Sequence, residues 1–143
     1  MSGQIVLQTA PRISTLPGGA LRVTWGEAGG PGGVVQFYPK EDGVVLDYIR
    51  VRQGNRALGA TLFADALRAA GIPQPRFVES SPIVNEPLLK LLQSGDDTAI
   101  AQAQRFWRLQ SLSFAKALGA TVLCTGLVKN ARGNWIARGE LSY

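Results

Sequence analysis

Val44-Val45-Leu46-Asp47-Tyr48-Ile49-Arg50-Val51, then Arg52-Gln53-Gly54-Asn55-Arg56-Ala57-Leu58-Gly59-Ala60, then Thr61-Leu62-Phe63-Ala64-Asp65-Ala66-Leu67-Arg68-Ala69-Ala70-Gly71 is the stretch on which the fold turns. The first part is an apolar, β-branched run that reads as a strand. The second carries glycine and arginine and reads as a turn. The third places Leu62, Ala66 and Ala70 on one helical stripe with Phe63 and Leu67 beside it, and Gly71 and Pro73 end it. A strand that turns directly into a helix is suited to a phosphate group. The first amides of the helix lack intrahelical acceptors, and its dipole is positive at that end. The junction therefore predicts a phosphate-bearing ligand, with Arg52, Arg56 and the amides around Ala57, Leu58, Gly59 and Ala60 as its cradle. The alternative is a pair of solvated arginines at a strand end.

Working outward, strands are expected over 4–9, 20–25, 34–38 and 44–51, the last two joined by a hairpin connection over 39–43. Gly29-Gly30-Pro31-Gly32-Gly33 reads as a loop. A short strand is expected over 76–79. Asn85 is a predicted N-cap for a helix bearing Leu88, Leu89, Leu91 and Leu92, and Ser94-Gly95-Asp96-Asp97 breaks it and caps a long helix over 98–118. Ile100, Ala103, Trp107, Gln110, Phe114 and Leu118 recur along that helix at spacings of three and four. Strands over 121–128 and 135–141 close the chain. The order predicts an α/β (α+β) layer architecture with a mixed central sheet and helices on both faces, in a single domain over 1–143.

Composition narrows the chemistry. The 143 residues are 45% hydrophobic and 17% charged, which is globular. No apolar run is long enough to span a membrane and no signal peptide is recognisable at Met1-Ser2-Gly3-Gln4, so the expected compartment is the cytoplasm. Cys124 is the sole cysteine. It lies in an apolar strand and is expected to be a buried structural thiol. The chain has no histidine. That removes the commonest general base and metal ligand, and argues against Ser-His-Asp and Cys-His enzymes and zinc hydrolases. The net charge of +5 favours an anionic partner, either a cofactor or a nucleic acid, although the basic residues form no dense run. Any catalysis falls to carboxylates, hydroxyls, backbone amides or water. Asp47 and Glu79 interrupt apolar strands on either side of the predicted turn–helix and are the candidate bases. Their alternative reading is as solvated or Arg-paired carboxylates. Trp107 and Phe114 are read as core, and Trp25 and Trp135, in strands, as core or as base-stacking platforms, core being preferred.

Two motifs resemble a known family. Val51 followed by Arg56-Ala57-Leu58-Gly59-Ala60-Thr61 is similar to the pyrophosphate loop of the GNAT N-acetyltransferase superfamily, Arg/Gln-x-x-Gly-x-Gly/Ala with a valine five residues earlier. Phe114-Ala115-Lys116-Ala117-Leu118-Gly119-Ala120 resembles the end of the family's later helix. The resemblance covers 44–143, an acyl-CoA-binding core and terminal hairpin. It leaves 1–43 as a β/loop part in place of two helices. It implies acetyl-CoA as co-substrate, transfer of its acetyl group to an amine, and Val51, Arg52, Arg56, Ala57, Leu58, Gly59, Ala60 and Thr61 as cofactor-binding residues, with Asn85 toward the pantetheine arm. Thr61 stands where the family has Gly or Ala. Residues 86–105 look like an insertion that makes two helices of one. Ala115 stands where the family often has the tyrosine that protonates the leaving thiolate. These departures keep two alternatives open: an inactive binding or structural module of the kind suited to a phage or effector setting, and a basic nucleic-acid-binding domain.

Overall fold

The computed structural model describes residues 11–26, 32–51 and 56–143. The expected strand over 4–9, most of the glycine loop and Arg52 lie outside them. The described elements are β1 (Arg12–Thr15), β2 (Leu21–Trp25), β3 (Gly33–Lys40), β4 (Gly43–Val51), α1 (Arg56–Ala69), β5 (Phe77–Ser80), α2 (Glu86–Gln93), α3 (Asp97–Leu118), β6 (Thr121–Lys129) and β7 (Trp135–Ser142). One sheet holds all the strands in the order β1-β2-β3-β4-β5-β7-β6. It is mixed: β4 and β5 run parallel, and every other pair is antiparallel. The α+β architecture expected from the sequence is the one observed.

Local chemistry sets the element ends. The Asn85 side chain accepts from Leu88 N–H at 2.9 Å, and Asp96 accepts from Ala99 N–H at 2.8 Å, so both predicted caps are in place. Gly119 closes α3 at φ 76°, a left-handed conformation that glycine adopts without a Cβ penalty. The hairpin between β3 and β4 is tighter than expected. Lys40 pairs with Gly43, so only Glu41 and Asp42 turn, and Asp42 takes φ 66°. Asp tolerates that region because its short side chain bonds locally.

α1 and α3 pack against each other, with the Phe63 and Phe114 ring centroids 4.6 Å apart, and Trp107 meets Phe114 edge-on at 6.3 Å. Helices in such contact share one face of the sheet. Val23, Trp25, Val35, Phe37, Val44, Leu46 and Val78 point from the strands into this same core. α2 lies against α3. The described helices therefore cover one face rather than two, because the described residues before β4 supply three strands and no α-helix. Alternation along each strand leaves a second, helix-free face among the described residues, which carries Arg22, Gln36, Asp47, Glu79 and Arg138.

Candidate functional site

The parallel pair β4–β5 is joined through α1, and its ladder is short. Gly43 to Leu46 pair with Phe77 to Ser80, and Ser81 N–H still reaches Leu46 O at 3.1 Å. β4 then continues through Asp47 to Val51 with no β5 partner, while the chain after Ser80 leaves the sheet toward α2. The strands part at Leu46 and Ser80. The unpartnered part of β4 is about 16 Å long at ~3.3 Å per residue.

α1 stands at the far end of that cleft. Helix begins at Arg56, earlier than the 61–70 reading, so Arg56, Ala57, Leu58, Gly59 and Ala60 form its first turns and not a loop. The start of α1 presents the positive end of the helix dipole at the end of β4. The reason for the early start is composition: Arg, Ala and Leu at 56–58 are strong helix formers that outweigh Gly59. Gly59 and Ala60 are buried, Leu58 is half-buried and packs on the core, and Thr61 is exposed. A Cβ built on Gly59 would meet Ile49 Cγ2 at 3.7 Å, an ordinary contact. Val51 is half-buried and packs against the core at the end of β4. Asn85 is exposed, and its side chain caps α2.

Both candidate bases lie on the helix-free face. A β-bulge opposite Gln36 and Phe37 sets Asp47 between the paired residues Leu46 and Tyr48. Without the bulge, the alternation that turns Leu46 inward and Asp47 outward would turn Tyr48 inward. With it, Tyr48 registers with Gln36 on the same face as Asp47. Gln36 Nε2 donates to Asp47 Oδ2 at 2.6 Å, and Arg22 Nε donates to Gln36 Oε1 at 3.0 Å. This relay across β2, β3 and β4 fixes one carboxylate oxygen through a neutral amide. Glu79 is held differently. Arg138 Nη1 donates to Glu79 Oε2 at 2.6 Å, Arg138 Nε lies 3.6 Å from Glu140 Oε2, and the guanidinium stacks 4.0 Å from the Phe77 ring. Of its two sequence readings, Glu79 follows the Arg-paired one. Since Glu79 pairs with Val45, Asp47 sits two residues further along the neighbouring strand. The separation is about 7 Å along β4 and ~4.8 Å across.

Sequence reasoning did not find Gln36, Arg22 or Arg138. Their spacing in the chain carries no signal; only strand register brings them to the carboxylates. It also missed a cavity of about 570 Å³ on the helix-covered side, bounded by α2, α3 and the sheet at Ser80, Leu127 and Ala137. Cys124 departs from its expected burial. β6 ends the sheet, and the thiol is exposed on it. Trp25, Trp107 and Phe114 are core, 6%, 6% and 2% exposed, whereas Trp135 is half-buried under Lys129. Trp107 Nε1 and Ser111 Oγ are buried without a hydrogen-bond partner, both close to Gly139. No helix among the described residues is long and apolar enough to cross a membrane. Neither a protein-family model nor a curated protein matches the chain.

Proposed function

We propose that this chain is an acyl-CoA-dependent N-acyltransferase of the GNAT type, moving an acyl group, such as the acetyl of acetyl-CoA, from its thioester to an amine. The observation that carries the reading is the parting of parallel strands β4 and β5 at Leu46 and Ser80, with the N-terminus of α1, the positive end of its dipole, following the end of β4. A pyrophosphate at Arg56 and the start of α1 leaves the amide-rich arm of CoA to run back along β4. Beyond Leu46 the β5-facing N–H and C=O groups of β4, whose other edge pairs with β3, are natural partners for such an arm. The thioester then lies near Leu46, and Asp47 stands on the opposite face, from which the amine enters.

The chemistry needs no covalent enzyme intermediate. The amine nitrogen attacks the thioester carbonyl carbon, the C–S bond breaks, and the sulfur leaves with the electron pair. The nitrogen's proton passes to the Asp47 carboxylate, directly or through water, and the thiolate is protonated from solvent. Asp47 is preferred to Glu79 because Arg138 already occupies Glu79 with a charge-assisted contact.

Calorimetry with acetyl-CoA tests binding, and release of free thiol in the presence of amines tests turnover. Absence of binding at millimolar ligand refutes the reading. A second reading, a binding module without turnover, is favoured by one observation: Ala115 is 2% exposed within the core, so a methyl group stands where the family often has an acid. Binding without turnover over a panel of amines selects it. The alternation of Arg22, Asp47, Glu79 and Arg138 on the helix-free face does not favour a nucleic-acid backbone.

A further inference from the structure

We propose that the cavity beside Ser80 receives the acyl chain of the donor, so that the preferred donor is a medium-chain acyl-CoA rather than acetyl-CoA. The inference rests on the acyltransferase reading above. At about 570 Å³ the cavity lies inside the range of small-molecule sites, roughly 300–1,000 Å³. A methyl group leaves nearly all of it empty. The void exists because small residues face one another: Ala99 and Ala103 on α3 stand across from Ala137 on β7, with Leu88 and Leu91 of α2 as the outer wall. Larger side chains at these alanines would have closed a continuous core, as Phe63 and Phe114 do nearby.

Few polar groups line the cavity: the Gln102 amide at its exposed rim, and Ser80 and Trp107 in its wall. Ser80 Oγ accepts from Ala137 N–H and donates to Ser81 O, each at 2.9 Å. Trp107 Nε1 lies against the sheet at Gly139. What the cavity offers is apolar surface, and apolar surface selects hydrocarbon. Leu91 and Phe106 at its edge are 42% and 58% exposed, so a chain entering there removes further apolar area from water. Location supplies the remaining argument. Ser80 is both a wall of the cavity and the last β5 residue paired with β4. A thioester at the point where the strands part has its acyl carbon at the cavity mouth.

The test compares CoA, acetyl-CoA, octanoyl-CoA and free octanoate by calorimetry, with tryptophan fluorescence as a second readout because Trp107 lines the cavity. Each methylene taken into the cavity is expected to tighten binding roughly threefold to fourfold, so octanoyl-CoA should bind at least ~100-fold more tightly than acetyl-CoA. Ala103→Phe fills the void and should shrink that ratio below roughly tenfold while leaving CoA affinity unchanged. Leu91→Glu, at an exposed position that tolerates charge, should do the same if Ala103→Phe fails to fold. If CoA and acetyl-CoA bind but chain length makes no difference, the cavity assignment is overturned and the acyltransferase reading stands. If octanoate perturbs the fluorescence while no CoA-bearing ligand binds, the donor assignment is overturned. If no ligand binds, both fall together.

Discussion

Gly59→Ala should raise stability and lower affinity for CoA in the same molecule. Glycine within a helix costs about 0.5–1 kcal/mol relative to alanine. Nothing in the fold demands it at this position. Gly59 does not have a positive φ, and an added Cβ would touch Ile49 Cγ2 at 3.7 Å without a clash. The variant is expected to be more stable by about 0.5–1 kcal/mol, a shift of roughly 0.3–0.5 M in urea midpoint if m is ~2 kcal/mol/M. With neither conformation nor packing calling for glycine, close approach of a ligand to the backbone is the explanation left. A methyl group there separates a pyrophosphate from the amides at the start of α1. Loss of one charge-assisted hydrogen bond costs about 1.5–3 kcal/mol, or roughly 10- to 150-fold in dissociation constant. Urea denaturation and calorimetry on the same preparation measure both quantities. Unchanged affinity for CoA would falsify the cradle, whatever happens to stability. Lower stability would show that the packing around Ile49 has been misread.

Arg56→Ala should weaken CoA binding by roughly 10- to 150-fold through loss of a charge-assisted phosphate contact, and calorimetry that finds wild-type affinity removes Arg56 from the site. Asp47→Asn should cut turnover by roughly two to four orders of magnitude in a thiol-release assay while sparing CoA affinity, and full activity in this variant rules Asp47 out as base. Glu79→Gln should change turnover by less than about tenfold and cost about 1 kcal/mol in urea denaturation, since it breaks a partly exposed ion pair with Arg138; a turnover loss as large as that of Asp47→Asn reverses the roles of the two carboxylates. Burial pushes the Tyr143 phenol up from 10.0 to about 12, partly offset by Arg68, and its hydroxyl donates to Pro75 O at 2.8 Å. The unfolded chain then ionises first, so this contribution is complete below pH 10 and lost as pH rises toward 12; Tyr143→Phe should flatten the stability profile in that window, and an unchanged slope refutes the assignment.

The helices and strands were legible because their signals are local. Asn85 and Asp96 announce their helices by type and position, and the stripe of Trp107, Phe114 and Leu118 announces the buried side of α3. What could not be read depends on partners distant in the chain. The shared face of α1 and α3 follows from strand order, which no residue encodes alone. The bulge that sets Asp47 beside Tyr48 arises from register between β3 and β4 and leaves no mark in composition. α1 starts five residues before the position its apolar stripe suggests, because Gly59 signals a turn while Arg56, Ala57 and Leu58 already favour helix. The exposure of Cys124 is not legible locally, because an apolar run looks alike on a central strand and on an edge strand, and only the sheet order shows that, among the described residues, β6 has a neighbour on one side alone.

The one-sided packing of helices bears directly on how a bisubstrate site could work in so short a chain. A sheet covered on both faces offers access only at its ends. Here the helix-covered face carries the amides of α1 and the apolar cavity, and the other face carries Asp47 in its relay from Arg22 and Gln36. The gap between β4 and β5 is where the two faces communicate, and it opens beside Asp47, the residue the bulge sets apart from the ladder. Donor and acceptor can then approach from opposite sides without competing for one mouth. The arrangement has a cost in rate. A carboxylate is a weak base near neutral pH, and Ala115 supplies no acid to the leaving sulfur, so positioning must carry most of the acceleration. In the proposed reaction the Arg22–Gln36–Asp47 relay is what would supply it. Gln36→Leu keeps the volume of a 9%-exposed side chain but removes both hydrogen bonds. If Asp47 acts by position, Gln36→Leu should lower kcat by at least roughly tenfold with CoA affinity intact, because a base freed to rotate loses its oriented fraction. A purely structural role for the relay predicts lower stability in urea and an unaltered kcat, and that result would refute positioning of Asp47 by the relay.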